Sequence, residues 1–143
     1  MPTMRYKLAA KADWSDLEKL QSFLEMVQEK QSISKKALFE INLVLEEIFS
    51  NILSYGLEDP KNRLISITIS AEKRSLTIRV EDDGRPFNPL DFKAPAFQGS
   101  LEDAPVGGLG IHLVRNLVDG ILYERTRNRN VLIMTKDVDA SPI

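Results

Sequence analysis

The chain contains no cysteine, a single histidine and a single tryptophan among its 143 residues. Without cysteine there is no disulfide framework, no thiolate nucleophile and no thiolate metal site. One histidine, His112, leaves no histidine cluster for a metal ion, and no serine–histidine–acid triad is apparent. No apolar run reaches the roughly 18 residues that a membrane-spanning helix needs, and residues 1–10 lack the apolar segment of a signal peptide. We therefore expect a cytoplasmic protein that does not bind membranes.

The charge balance is nearly even, with 19 lysines and arginines against 21 aspartates and glutamates and a net charge of −2. Proteins that bind nucleic acids directly usually carry a basic surplus, so no direct nucleic-acid partner is expected. The chain is 43 % hydrophobic and 28 % charged, and its length is sufficient for one globular domain with its own core.

Hydrophobic periodicity predicts both strands and helices. Apolar residues recur at helical spacing after Ser15, Ser34 and Gly108, and serine is a typical N-terminal cap. Segments 64–71 and 75–81 alternate apolar and polar residues around a short polar link, which indicates an antiparallel hairpin. Further strands are expected at 4–10, 121–125 and 131–136, with residues 128–130 at the last turn. The order predicts an α+β two-layer sandwich, in which a mixed, largely antiparallel sheet is covered on one face by about three helices.

Glu47 and Asn51 lie one turn apart on the second predicted helix, which ends near Tyr55. They point away from an apolar arc that consists of Leu38, Ile41, Leu45, Ile48, Phe49 and Ile52. An amide oxygen is a hard ligand suited to Mg²⁺, and a carboxylate is suited to orient or deprotonate a nucleophile. The alternative is a solvated polar face, although Leu43 and Val44 on the same side favour a cleft.

Asp82 follows the second strand of the hairpin, in register with the apolar residues Ile78 and Val80. Because a buried charge is unfavourable without a partner, this carboxylate needs one, and the exocyclic amine of a purine would serve. Gly84 then lets the backbone approach a flat ligand. The alternative is a simple turn, since the sequence Asp-Asp-Gly-Arg-Pro is typical of turns.

Glycines at 107, 108 and 110 precede and open the third predicted helix. Backbone N–H groups at such a helix N-terminus favour an anion such as phosphate. The pattern is neither a Walker motif nor a dinucleotide fingerprint. A plain glycine-rich loop entry is the alternative interpretation.

The ordered set Glu-x-x-x-Asn, Asp-x-Gly and Gly-x-Gly resembles the GHKL ATPases, whose nucleotide site is the Bergerat, or histidine-kinase-like, fold. Residues 44–56 and 82–89 are most similar to the branch of stand-alone anti-sigma-factor serine/threonine kinases. The resemblance extends over about residues 5–137. It implies a single ATP-binding domain over residues 1–143, with a lid at about 90–107.

The resemblance also implies roles for individual residues. Glu47 would be the general base and Asn51 the Mg²⁺ ligand. Asp82 would accept a hydrogen bond from the adenine amine, with Gly84 beside the ring. Pro86 stands where the family has a second glycine and stiffens this loop. The phosphates of ATP would lie along Gly108, Leu109 and Gly110.

The resemblance implies a protein serine/threonine kinase that uses ATP and Mg²⁺. Its substrate would be a STAS-domain anti-anti-sigma protein, it would sequester a sigma factor, and it would form a homodimer. Two alternatives remain open at this stage: a nucleotide-gated binding module, and an ATP-hydrolysing switch of the same fold without protein kinase activity.

Overall fold

A computed structural model of the protein describes residues 3–56, 64–91 and 108–138, which form a five-stranded sheet with helices on one face. The spatial order of the strands is β1-β2-β3-β5-β4, and all four pairings are antiparallel. The predicted sheet was mixed and largely antiparallel, whereas the described sheet is antiparallel throughout. The strands are β1 (Met4–Lys11), β2 (Leu64–Glu72), β3 (Ser75–Asp82), β4 (Gly120–Thr126) and β5 (Arg129–Asp137).

Three α-helices cover one face of this sheet, as the sequence predicts: α1 (Leu17–Gln31), α2 (Lys35–Asn51) and α3 (Gly108–Leu117). The alternating apolar residues of β2 and β3 are buried beneath them, while their serine, threonine and arginine neighbours lie on the other face. The predicted apolar arc of α2 supplies most of the helical contribution, with Ile41, Leu45, Ile48 and Phe49 almost fully buried. Each such side chain contributes about 1.5–3 kcal/mol of transfer free energy, so the core fixes how α2 faces the sheet.

The predicted cap of α2 is confirmed, whereas the predicted cap of α1 is wrong. Ser34 Oγ accepts a hydrogen bond from the Ala37 N–H at 3.1 Å. Before α1, a short 3₁₀ turn occupies Trp14–Asp16, and the side chain of Asp13, not Ser15, caps it. The Asp16 carboxylate instead accepts a hydrogen bond from the N–H of Lys11 at 2.7 Å, which ties the start of α1 to the end of β1.

The helical path of α2 continues to Gly56, close to its predicted end, but its hydrogen bonding changes directly after Asn51. Residues Ile52–Gly56 form a π-helical turn. The N–H of Ile52 is shared between the carbonyls of Ile48 and Phe49. Such π turns occur frequently at functional sites. Here the change lies beside one of the predicted site residues.

The two hairpins show one correct and one incorrect turn prediction. Lys73 and Arg74 connect β2 to β3 within the predicted link at 72–74, and Glu72 is the last residue of β2. The β4–β5 turn was predicted at residues 128–130, but it consists of Arg127 and Asn128, which have positive φ values of 50° and 62°. Two left-handed residues match the twist of a tight hairpin, and asparagine tolerates that conformation. Asn130 is consequently a residue of β5 and lies opposite Asp82 of β3.

Two further expectations concern the lid and the membrane. The predicted lid at 90–107 starts in the 3₁₀ turn Pro89–Asp91, and the rest of it lies outside the described residues. Among the residues that the structure describes, no helix is both long enough and apolar enough to cross a bilayer.

Candidate functional site

Asp82 and Asn130 form the polar centre of the site, at the end of the sheet where β3 and β5 are paired. Both residues are only 4 % exposed. Asp82 Oδ1 accepts hydrogen bonds from the Gly84 N–H at 2.9 Å and from Asn130 Nδ2 at 3.0 Å. Burial raises the pKa of Asp82, and these two hydrogen bonds oppose that rise. The aspartate is therefore a buried acceptor, as its register in the sequence predicts.

A pocket with mainly apolar walls opens beside this pair, and its empty space is about 280 Å³ when the part open to solvent is included. Such a shape, with few polar groups in fixed positions, suits a flat heteroaromatic ligand. Gly84, two residues after Asp82, is buried, and its carbonyl oxygen accepts a hydrogen bond from Arg125 at 2.7 Å. The lining residues are Ile48, Asn51, Ile52, Val80, Asp82, Phe87, Pro89, Tyr123, Asn130 and Leu132.

Asn51 brings the end of α2 to the same pocket. The residue is 6 % exposed, and its side chain makes no hydrogen bond with any residue in the described ranges. Those ranges also contain no group of three or more carboxylates and histidines able to hold a metal ion. A single amide oxygen fits Mg²⁺, which takes few protein ligands and is otherwise held by water and substrate phosphates.

Glu47 lies one turn before Asn51, outside the pocket lining, and its side chain reaches the first turn of α3. It is half-buried, and burial raises the pKa of its carboxyl group. In the described part of the chain it has no hydrogen-bond or ion-pair partner. The adjacent Glu46 differs, because it accepts hydrogen bonds from Gln21 at 3.2 Å and Asn42 at 3.3 Å. Of the two neighbouring acids, Glu47 is the one that no described residue engages.

The first turn of α3 consists of Gly108, Leu109 and Gly110, so the predicted phosphate motif does open a helix. A Cβ atom on Gly110 would lie 1.8 Å from Glu47 Oε1 and 2.0 Å from its Cδ. The Glu47 carboxyl group therefore occupies the space that any other side chain would need. Glycine at this position lets α2 and α3 approach closely enough for the acid and the helix N-terminus to share one site.

The far ends of the same two helices are joined by Lys136 of β5. This lysine is 7 % exposed, and its Nζ donates to Glu40 Oε2 at 2.7 Å and to the carbonyl oxygen of Leu117 at 2.6 Å. The second bond caps the C-terminal end of α3, where a cation is favoured. Lys136 and the Glu47–Gly110 contact thus hold the antiparallel pair α2 and α3 at both ends.

The structure brings every predicted site residue to one end of the sheet. Asn51 and Asp82 line one pocket, the Gly84 N–H donates to Asp82, and Glu47 meets Gly110 one helical turn before Asn51. The sequence pattern sets the β4–β5 turn too late in the chain, and part of the pocket is therefore not predicted. The missed residues are Phe87, Tyr123 and Asn130. The signal that could have found these residues is the polar Asn130, which the strand pairing sets opposite Asp82.

Fold and site together define an ATP-binding domain of the Bergerat type, and comparison with known proteins agrees. Residues 10–136 match the family model described as "Histidine kinase-like ATPase domain". The chain is 26 % identical over 113 residues to the serine/threonine-protein kinase BtrW of Bordetella bronchiseptica, with 79 % of this chain and 80 % of BtrW aligned. It is 24 % identical over 97 residues to an anti-sigma F factor of Clostridium acetobutylicum, with 68 % and 67 % aligned.

Among solved structures, the crystal structure of the RsbU and RsbW domains of Rv1364c from Mycobacterium tuberculosis matches with a TM-score of 0.67 at 13 % identity. The match extends over 99 % of this chain but only 35 % of that longer one, and it concerns the fold. The chain belongs to the histidine kinase-like ATPase domain family. The resemblance to the GHKL superfamily and its anti-sigma kinase branch is thereby confirmed.

Proposed function

We propose that this protein is an ATP- and Mg²⁺-dependent protein serine/threonine kinase of the anti-sigma type. It phosphorylates a STAS-domain anti-anti-sigma partner, sequesters a sigma factor, and works as a cytoplasmic homodimer. The observation that carries the kinase assignment is the position of the half-buried Glu47, which lies against the N-terminal turn of α3 and pairs with no described residue, one helical turn from Asn51. The names of the relatives, a serine/threonine-protein kinase and anti-sigma F factors, support the biological setting.

Each residue of the site has a separate task in this proposal. Asp82 holds the adenine amine in the apolar pocket, and the N–H groups at the start of α3 face the phosphates. Asn51 contributes an oxygen to Mg²⁺, which, when bound, neutralises charge on the phosphates. Phosphoryl transfer depends mainly on position and charge, so the protein has little covalent chemistry to perform.

Glu47 takes the proton from the attacking serine or threonine hydroxyl. A general base works best when its pKa lies near the working pH, and burial shifts the Glu47 pKa upward in that direction. The adjacent Glu46 accepts a hydrogen bond from Gln21 of α1 and therefore does not compete with Glu47 for this proton.

The deciding experiment is transfer of labelled phosphate from γ-labelled ATP to proteins in a lysate of the source cell. Three forms are compared: wild type, Glu47→Gln, and the matched control Glu46→Gln. We expect one small labelled protein with wild type and with Glu46→Gln, and none with Glu47→Gln. All three should bind ATP equally.

Two results would contradict the kinase assignment. If ATP binds but no protein becomes labelled, the domain is a nucleotide-gated binding module. If free phosphate appears without a labelled protein, it is an ATP-hydrolysing switch. A separate titration tests the metal: ATP binding by Asn51→Ala should no longer respond to Mg²⁺, and a retained response would remove Asn51 from the metal site.

A further inference from the structure

Asn130 uses its whole side-chain amide within the site. Its Nδ2 donates to Asp82 Oδ1 at 3.0 Å and to the Arg85 carbonyl oxygen at 2.8 Å. Its Oδ1 accepts from the Phe87 N–H at 3.1 Å and from the Tyr123 hydroxyl at 2.5 Å. An asparagine amide offers two donors and two acceptor positions, so all four are in use.

This set of partners fixes the orientation of the amide. Rotating it by 180° would set its oxygen against the Asp82 carboxylate and the Arg85 carbonyl, both of which only accept. It would also set its NH₂ group against the Phe87 N–H, which only donates. A buried amide with mismatched partners is strongly disfavoured, so one orientation dominates.

The fixed amide determines what Asp82 presents to the pocket. Asp82 Oδ1 is held by two donors, the Gly84 N–H and Asn130 Nδ2. Asp82 Oδ2 accepts no hydrogen bond from a described residue, although Asp82 is only 4 % exposed and lines the pocket. Oδ2 is therefore the Asp82 oxygen that is left to accept a hydrogen bond from a ligand in the pocket.

The same amide also holds the loop around Pro86, which stands where the family has its second glycine. Pro86 lacks an N–H, and Asn130 bonds to the carbonyl before it and to the N–H after it. The side-chain amide thus pairs with the loop backbone as a neighbouring strand would. The loop wall of the pocket and the orientation of Asp82 depend on one residue.

We propose that Asn130 is a specificity-determining residue, which locks Asp82 so that the pocket accepts 6-aminopurine nucleotides and rejects 6-oxopurine nucleotides. The inference rests on the proposed nucleotide site and extends it. A 6-amino group donates to Oδ2, whereas a 6-oxo group would oppose one acceptor with another. Sites built around such a polar match discriminate far more strongly than apolar pockets do.

Because Asn130 fixes the orientation of Asp82, one substitution is expected to invert the preference for ATP over a 6-oxopurine nucleotide. In Asp82→Asn the new oxygen must stay at the Oδ1 position, because the Gly84 N–H and Asn130 Nδ2 both donate there. The new NH₂ group is then forced toward the ligand and pairs with a 6-oxo group. Inosine triphosphate (ITP) is the suitable probe, because it differs from ATP at this position without adding the 2-amino group of GTP.

The experiment measures the ATP and ITP dissociation constants by calorimetry for four proteins: wild type, Asp82→Asn, Asn130→Ala and the double variant. Asn128→Gly, in the exposed turn of the same hairpin, is the control and should match wild type. We expect wild type to prefer ATP by on the order of 10²-fold, and Asp82→Asn to prefer ITP. Asn130→Ala should weaken ATP binding by about tenfold and reduce the ATP preference, and the double variant should show a smaller inversion than Asp82→Asn alone.

The measured ratios separate failure of this inference from failure of the proposed function. If wild type binds neither nucleotide, the proposed function is wrong. If wild type binds ATP but Asn130→Ala keeps the full ATP preference, or Asp82→Asn still prefers ATP, the lock is refuted while the ATP site stands. Should Asn130→Ala lack a cooperative melting transition, Tyr123→Phe replaces it. Losing one donor to Asn130 Oδ1 should reduce the preference in the same direction, and an unchanged ratio would refute the lock.

Discussion

Replacing Gly110 with alanine should inactivate the proposed base without damaging the fold. The new Cβ would lie 1.8 Å from Glu47 Oε1, 2.0 Å from Cδ and 2.7 Å from Cγ, whereas real Cβ contacts stay above 3.0 Å. The carboxylate oxygen must therefore move by roughly 1.2 Å. A displacement of about 1 Å in a positioned catalytic group lowers the rate by on the order of 10²-fold.

The assay measures phosphate transfer at saturating ATP to the protein that becomes labelled in the lysate experiment, and the melting temperature is measured in parallel. We expect kcat to fall by about 10²-fold while the protein melts at or slightly above the wild-type temperature. Stability is retained because alanine favours a helical position by roughly 0.5–1 kcal/mol over glycine. The displaced group is also the end of a flexible side chain, which can rotate away from the new methyl group.

Gly120→Ala provides a matched control at the opposite end of α3. Its Cβ would meet only Thr135 Oγ1, at 2.7 Å, and that hydroxyl is far from Glu47 and can rotate. Phosphate transfer should be unaffected in this variant. If kcat is unchanged in Gly110→Ala, then either Glu47 does not contact Gly110 or Glu47 is not the base.

Three further predictions concern single groups. Because burial raises the Glu47 pKa, the rate of phosphate transfer should fall as the pH decreases, with a midpoint above the ordinary value of 4.5. A pH–rate profile with its midpoint at or below that value would contradict the role of Glu47 as base. The hydrogen bond from the Lys11 N–H is the main cause that lowers the pKa of Asp16. The ionised carboxylate therefore stabilises the fold above the unfolded-state pKa, and this stabilisation is lost as the pH falls through the folded-state pKa. Denaturant titrations of Asp16→Asn should lack this acid-dependent loss of stability. Ser34→Ala should lower the free energy of unfolding by about 1 kcal/mol, whereas Ser15→Ala should leave it unchanged, and equal effects would contradict the assigned caps.

Local sequence patterns were sufficient for most of the fold. Helical periodicity located α1, α2 and α3, and strict alternation located the β2–β3 hairpin, because both depend on which face of an element is buried. The errors lie at element ends. Ser15 has the right sequence for a cap, but the tie between Asp16 and the Lys11 N–H imposes a different backbone there.

The candidate site divides along the same line. Glu47, Asn51 and Asp82 were predictable because their spacing on one helix or one strand determines their direction. Asn130 was not, since its role arises from pairing between β3 and β5, and a two-residue error in the turn hides that pairing. The contact of Glu47 with Gly110 likewise depends on the packing of α2 against α3, which no local pattern encodes.

The pairing of Asp82 with Asn130 has a consequence for how the protein matures on the ribosome. Asp82 is synthesised 48 residues before its partner. A nascent chain ending before β5 already carries every predicted motif residue, yet it lacks Asn130 and the Leu132 wall of the pocket. A ligand stabilises only the form that binds it, so nucleotide favours the sheet only once its last strand has paired. In the proposed site, nucleotide can therefore bind only after β5 has paired with β3 in the correct register.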